Sequence, residues 1–239
     1  MNRKLGITLL AVLLSLGLVT GISAQTSGSV ELSADTIEYD AKTGIMTAQG
    51  GVVTLTRDKA VLTGASAEYN TKSKEAYVTG GVKVVQEDTT LTAPEVRSYN
   101  DNYLVASGGA LLTKGEDTLA GPKIEHWVDK QYSVVTGGSR LTMPDGVMTA
   151  DRMEAFHNED RAVGVGNVHI VSEPRKLDAT SEQVVYYGAR ANGQGKAVLS
   201  GNARAVQDGN VLTGKTLTIY LDDKTVDAQG RSQLTIQPQ

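Results

Sequence analysis

A repeat constrains this chain more than any other feature. A Gly-Gly or Gly-Asn pair, Gly-Arg in the last copy, begins at Gly50, Gly80, Gly108, Gly137, Gly166, Gly201 and Gly230, with spacings of 30, 28, 29, 29, 35 and 29. A second column keeps the same frame: Leu62-Thr63-Gly64, Leu91-Thr92-Ala93, Leu119-Ala120-Gly121, Met148-Thr149-Ala150, Leu177-Asp178-Ala179 and Leu212-Thr213-Gly214, spaced 29, 28, 29, 29 and 35. Two columns that step together, and lengthen together, mark seven copies of one supersecondary unit, the last truncated. Such a unit cannot bury its apolar face alone and must stack or meander against its neighbours.

Each copy reads as extended chain. Val82, Val84 and Gln86 alternate with Lys83, Val85 and Glu87. Val168 and Ile170 alternate with His169 and Val171, and no helical apolar spacing is sustained after residue 24. Turn formers such as Asp40-Ala41-Lys42-Thr43-Gly44, Asn70-Thr71-Lys72-Ser73 and Gln207-Asp208-Gly209 divide each copy into two strands of about a dozen residues joined by hairpins. One strand carries the glycine pair at mid-length. The other carries Thr-Ala or Thr-Gly there, flanked by apolar residues five apart: Leu91 and Val96, Leu119 and Ile124, Met148 and Met153, Leu212 and Leu217. Strict alternation would put such pairs on opposite faces, so a bulge or kink is needed to bring both inward. Every strand is then creased at its middle, and the creases line up.

A meander creased along a line folds into a V. The expected fold is all-β: an elongated V of about fourteen creased antiparallel strands, two sheets facing each other, on the order of 65 Å long at ~4.8 Å per strand. Its lining should be Ile37, Val52, Val82, Val84, Leu112, Ile124, Leu141, Met153, Val168, Ile170 and Leu234. Phe and Trp occur once each, so large side chains that would close the gap between two sheets are scarce. Two readings stay open: an ordinary aliphatic core, or a furrow kept partly open for flexible apolar chains.

The first residues are an export signal. Asn2-Arg3-Lys4 precedes an apolar run from Leu5 to Val19, and Ile22-Ser23-Ala24 leads into polar Gln25-Thr26-Ser27. This order predicts a secretory signal peptide over 1–24, cleaved after Ala24, with residues 25–239 as the mature repeat domain. The alternative is an uncleaved anchor, since Leu5 to Ile22 spans 18 residues. Either reading sends the rest of the chain outside the cytoplasm. The net charge of −4 becomes −6 without Arg3 and Lys4, which excludes a basic stripe for nucleic acid. Cysteine is absent, and with it disulfides, thiol catalysis and Cys-ligated zinc.

Other constellations have plain explanations. His126, His157 and His169 show no i,i+4 pair. Acidic pairs such as Glu87-Asp88, Glu159-Asp160 and Asp222-Asp223 fall in turns, and Gly164-Val165-Gly166 precedes a strand rather than a phosphate-cradling helix. Lys72, Lys74 and Lys83 are close in sequence and read either as a phosphate contact or as ordinary solvated surface. Tyr187–Gly195, the extra residues of copy six, read as a longer hairpin loop. The opening and closing strands, Ser29 to Ala34 and Ser232 to Ile236, are bare edges that could template another strand.

Ala34-Asp35-Thr36-Ile37-Glu38-Tyr39-Asp40, then Thr47-Ala48-Gln49-Gly50-Gly51-Val52, then Val61-Leu62-Thr63-Gly64 resembles the repeat of the lipopolysaccharide-export periplasmic bridge proteins, the LptA/OstA-like family. The resemblance runs over residues 30–237, with Ala67-Glu68-Tyr69-Asn70 and Gly80-Gly81-Val82 in copy two, and Ala150-Asp151-Arg152-Met153 and Gly166-Asn167-Val168 in copy five. It implies an elongated open β-jelly-roll of creased antiparallel strands, a periplasmic, non-catalytic protein without a cofactor, whose apolar groove shields the lipid A acyl chains of lipopolysaccharide or a related glycolipid. It also implies docking through edge strands to inner- and outer-membrane transport components, and head-to-tail self-association. A membrane-anchored docking partner of the same system, or a structural envelope repeat that polymerises end to end, are the alternative readings.

Overall fold

The computed structural model describes residues 30–236 apart from 58, 59, 87, 100, 101, 128, 145, 189–194, 222 and 224. The export signal, the cleavage point and most of the Tyr187–Gly195 segment therefore lie outside the described residues. The described chain is β-structure with one 3₁₀ turn, His157–Glu159. No helix among the described residues is long and apolar enough to cross a membrane.

In chain order the strands are β1 (Val30–Ser33), β2 (Thr36–Asp40), β3 (Ile45–Arg57), β4 (Ala60–Asn70), β5 (Glu75–Gln86), β6 (Thr89–Tyr99), β7 (Tyr103–Lys114) and β8 (Asp117–Trp127). There follow β9 (Tyr132–Met143), β10 (Gly146–Phe156), β11 (Arg161–Ser172), β12 (Leu177–Tyr187), β13 (Lys196–Gln207), β14 (Asn210–Tyr220), β15 (Val226–Gln229) and β16 (Gln233–Thr235). They belong to one sheet whose order follows the chain.

The chain clusters into two compact units, and β8 contributes to both: residues up to 115 with 122–130 form one, and 116–121 with 131 onward the other. In the first, β3 to β7 pair antiparallel in sequence, while β1 and β2 share the outer edge of β3. In the second, β9 to β14 do the same, and β15 and β16 share the outer edge of β14. Each terminal strand is thus a full strand broken in two where the crease falls.

The crease has a definite register. In β5, Ala76, Val78, Val82 and Val84 face inward with Gly80 and Gly81 exposed between them. In β6, Leu91 and Ala93 face inward, and then Val96 and Ser98. The apolar pair five apart is therefore buried on one face, as the spacing requires. The extra residue sits in the glycine strand: Thr63 pairs Lys83 and Ser66 pairs Thr79, three steps on β4 against four on β5. The same offset recurs between β6 and β7 and between β10 and β11.

Copy one departs from this frame. Between the Gln49–Ser66 and Val53–Gly64 pairs, β3 takes four steps against two on β4, an excess of two and so one residue more than the excess on β5. That residue turns Val52 out to solvent, 66% exposed, and puts Val53 at 0% in the inward column. The assignment of Val52 to the lining is corrected accordingly. Ile37 and Leu234 pair with inward-facing Ala48 and Leu212, but as edge positions they stay 46% and 58% exposed.

Candidate functional site

The inward face of the first unit is built from rows of directly opposed residues. One half of the creased strands contributes Leu32, Leu55, Leu62, Val84, Leu91 and Leu112, each the cross-strand partner of the next. The other half contributes Ile37, Ala48, Ala67, Val78, Val96 and Ala106 in the same way. Period-two alternation on either side of one crease produces both rows, with no polar side chain in either.

Beneath the first strands these rows leave a narrow gap of about 30 Å³, lined by Leu32, Met46, Ala48, Val53, Leu55, Leu62, Ala67, Glu68, Tyr69, Ala76 and Val78. Glu68 is exposed, and the remaining side chains are apolar apart from the Tyr69 hydroxyl. Ile37 and Tyr39 extend the same face at the open edge, Tyr39 at 60% exposure. A hydrocarbon chain meets no directional partner there, only aliphatic contact.

Among the expected lining residues, Val82, Val84, Leu112 and Ile124 are buried in this unit. Met153 and Val168 are buried in the other, where Leu141 and Ile170 are half-buried. Met148, Leu199, Leu217, Val168 and Val184 are fully covered in that unit, as Val53, Val82 and Val84 are in the first. At these positions in both units the aliphatic-core reading describes the structure, and the apolar gap lies under the first strands. Leu32, Met46, Leu55 and Val78 had a usable signal, the period-two alternation, but the repeat columns did not select them.

The polar groups behave as local structure. Asp40 accepts from the Lys42 N–H at 2.8 Å and the Thr43 hydroxyl at 2.7 Å. The hydroxyl bond first, and then the backbone one, hold its carboxyl below the ordinary range. Asp223 is lowered in the same way by the Thr225 N–H. His169 pairs outward with Asp178 at 3.2 Å, His126 is buried, and His157 Nε2 lies 2.9 Å from Ser133 Oγ. Lys72 and Lys74 sit in the β4–β5 hairpin, with Lys72 Nζ donating to the Lys42 carbonyl at 2.5 Å, whereas Lys83 lies beyond the crease, so the three make no cluster. Among the described residues no group of three His, Asp or Glu is arranged to hold a metal.

Tyrosine–glutamate pairs brace the outer face. Tyr77 donates to Glu95 at 2.6 Å, Tyr132 to Glu154 at 2.5 Å, and Tyr103 to Glu125. Burial first, and then the carboxylate bond, pushes Tyr103 and Tyr132 up to about 12.

A family profile described as "LptA/(LptD N-terminal domain) LPS transport protein" matches residues 62–225. No curated protein matches the chain. Among solved structures, LptH, described as the LptA-homologous periplasmic component of the conserved lipopolysaccharide transport device from Pseudomonas aeruginosa, is 13% identical; the match covers 88% of this chain and 96% of that one, with a TM-score of 0.19.

Proposed function

The chain belongs to the family of LptA/(LptD N-terminal domain) LPS transport proteins, and on that premise we propose that it is a periplasmic bridge shielding lipid A acyl chains between the two halves of its creased strands. One observation carries this reading. The space under β1, β3, β4 and β5 is almost wholly aliphatic and continues, uncovered, onto Ile37 and Tyr39. An acyl chain lying there is stabilised by roughly 0.8 kcal/mol for each CH₂ removed from water. Without directional partners it can slide instead of settling in one deep well.

Val82, Val84, Leu112 and Ile124, and in the other unit Leu141, Met153, Val168 and Ile170, are the residues we assign to hold chains further in, once the halves part. Their contacts are aliphatic, and the interior is rich in alanine, including Ala93, Ala106, Ala179 and Ala205. Such surfaces separate at less cost than interlocked aromatics. The role is non-catalytic. The split edges β1/β2 and β15/β16 are where inner- and outer-membrane components, or further copies, would add a strand.

A photo-crosslinking side chain in place of Ile37 should capture glycolipid in cells. Leu55→Asp should strip co-purifying amphiphile while the β-type circular dichroism persists, with Val52→Asp on the outer face as control. Equal lipid content in wild type and Leu55→Asp would sink the reading and favour a purely structural envelope repeat.

A further inference from the structure

We propose that one rim of the creased strands carries a row of outward rings and cations that holds the saccharide part of the glycolipid cargo. This rests on the bridge reading above. In the second unit, Tyr132, Phe156, Arg161, Tyr187, Lys196 and Tyr220 are successive cross-strand partners on six adjacent strands. All six are half-exposed, and they share a face turned away from the core: Ser133, Ala155, Ala162, Ala197 and Ile219, the strand neighbours of five of them, are buried, and Tyr187 pairs with Arg161 and Lys196 in the same row. The rings of Tyr132 and Phe156 lie 5.0 Å apart, the Arg161 guanidinium sits 3.8 Å over Phe156, and Lys196 Nζ lies 5.5 Å from the Tyr187 centroid.

The distribution is one-sided. Of the chain's nine Tyr, one Phe and one Trp, Tyr99, Tyr103, Trp127, Tyr132, Phe156, Tyr187 and Tyr220 all end strands at this set of hairpins. At the opposite set in the second unit, the strand ends are Met143, Gly146, Ser172, Leu177, Gln207 and Asn210. Packing of the interior does not require this, since the row faces outward.

A glycolipid whose acyl chains occupy an apolar interior must pass its sugars over one rim or the other. Aromatic faces at strand spacing, ~4.8 Å, offer flat apolar platforms for the C–H faces of sugar rings. The guanidinium and ammonium between them suit sugar-borne phosphate. Arg161 gives its Nε to Glu159 at 2.7 Å, its terminal nitrogens make no protein hydrogen bond among the described residues, and Lys196 has no ion pair among them. Arg161 thus keeps its terminal nitrogens beyond the Glu159 pair, and Lys196 its ammonium, unengaged by hydrogen bond or ion pair among the described residues.

The test uses the full exported chain with three probes, complete lipopolysaccharide, lipid A without core sugars, and phosphorylated core oligosaccharide without acyl chains, and with sugar-free anionic vesicles as the control. Leucine in place of Phe156 and Tyr187 keeps apolar bulk and removes the rings, and Lys196→Ser removes the charge separately. Complete lipopolysaccharide should bind the ring variant about tenfold more weakly. The oligosaccharide should lose measurable binding, and lipid A, which keeps only its phosphorylated disaccharide, should lose less than complete lipopolysaccharide, with unchanged circular dichroism reporting an intact fold. Unchanged binding of all three probes would make the row a structural brace and overturn the inference while leaving the bridge reading intact. A matching loss on sugar-free anionic vesicles would overturn it in favour of membrane contact. Wild type that binds neither lipopolysaccharide nor lipid A would instead defeat the bridge reading itself.

Discussion

The two glycines of each pair do different work. At Gly80, with φ +84, an added Cβ would lie 2.3 Å from the Ala65 Cβ on the neighbouring strand, so both conformation and space exclude a side chain. At Gly81, with φ +76, nothing lies within 4 Å. The corresponding positions in later copies are Asn167 and Asn202, at φ 47 and 49, whose amides donate to Asp151 and Glu182. Gly80→Ala should therefore cost about 2 kcal/mol or more. Gly81→Asn should stay within about 0.5 kcal/mol; urea denaturation midpoints separate the two. The braced tyrosines give a second residue-scale test. Tyr103 and Tyr132 hold their protons from the ordinary 10 up to about 12, so in that window the folded state is the more protonated one. Their contribution to stability is complete below pH 10 and is lost as pH rises through about 12. Phenolate absorbance should show a late-titrating component that shrinks by one tyrosine in Tyr132→Phe.

At the scale of the strand, register decides which residues line the interior. The spacing of five in the Thr-Ala strands made the parity change at the crease legible, and Leu91 with Val96 or Met148 with Met153 are indeed buried together. The length of the bulge opposite was not legible, because Gly50-Gly51-Val52-Val53 offers two equally apolar residues to one inward slot. Only pairing with β4 selects between them. Val53→Asp should accordingly cost about 3 kcal/mol through an unpaired buried charge. Val52→Asp should be nearly neutral, and thermal melts of the two proteins decide the matter. The reverse order, with Val52→Asp the costly one, would mean that β3 follows the frame of β5 after all.

For the whole molecule, the ends matter most. Ile37 and Tyr39 on the first edge, and Leu234 and Ile236 on the last, are exposed apolar residues beside unpaired strand edges. Strand addition would cover them. Leu234→Pro should remove a donor from the last edge and lower head-to-tail association in sedimentation; association unchanged by that variant would exclude β16 as a contact. Export belongs to the same scale. N-terminal sequencing of the protein recovered from the envelope should read Gln25-Thr26-Ser27, and an intact Met1 would mean that the apolar run is kept as an anchor.

The number of strands, their hairpins and the crease followed from residue order alone, because each is set by local chemistry that recurs every 29 or so residues: turn formers, period-two alternation and an odd apolar spacing. Covering was not a local property. Ile37 and Leu234 obey the same pattern as buried residues elsewhere, yet remain exposed because no further strand lies beside them. The apolar gap beneath β1 to β5, and the gathering of rings at one rim, likewise depend on which neighbours the finished sheet brings together, and one repeat unit does not encode its neighbour.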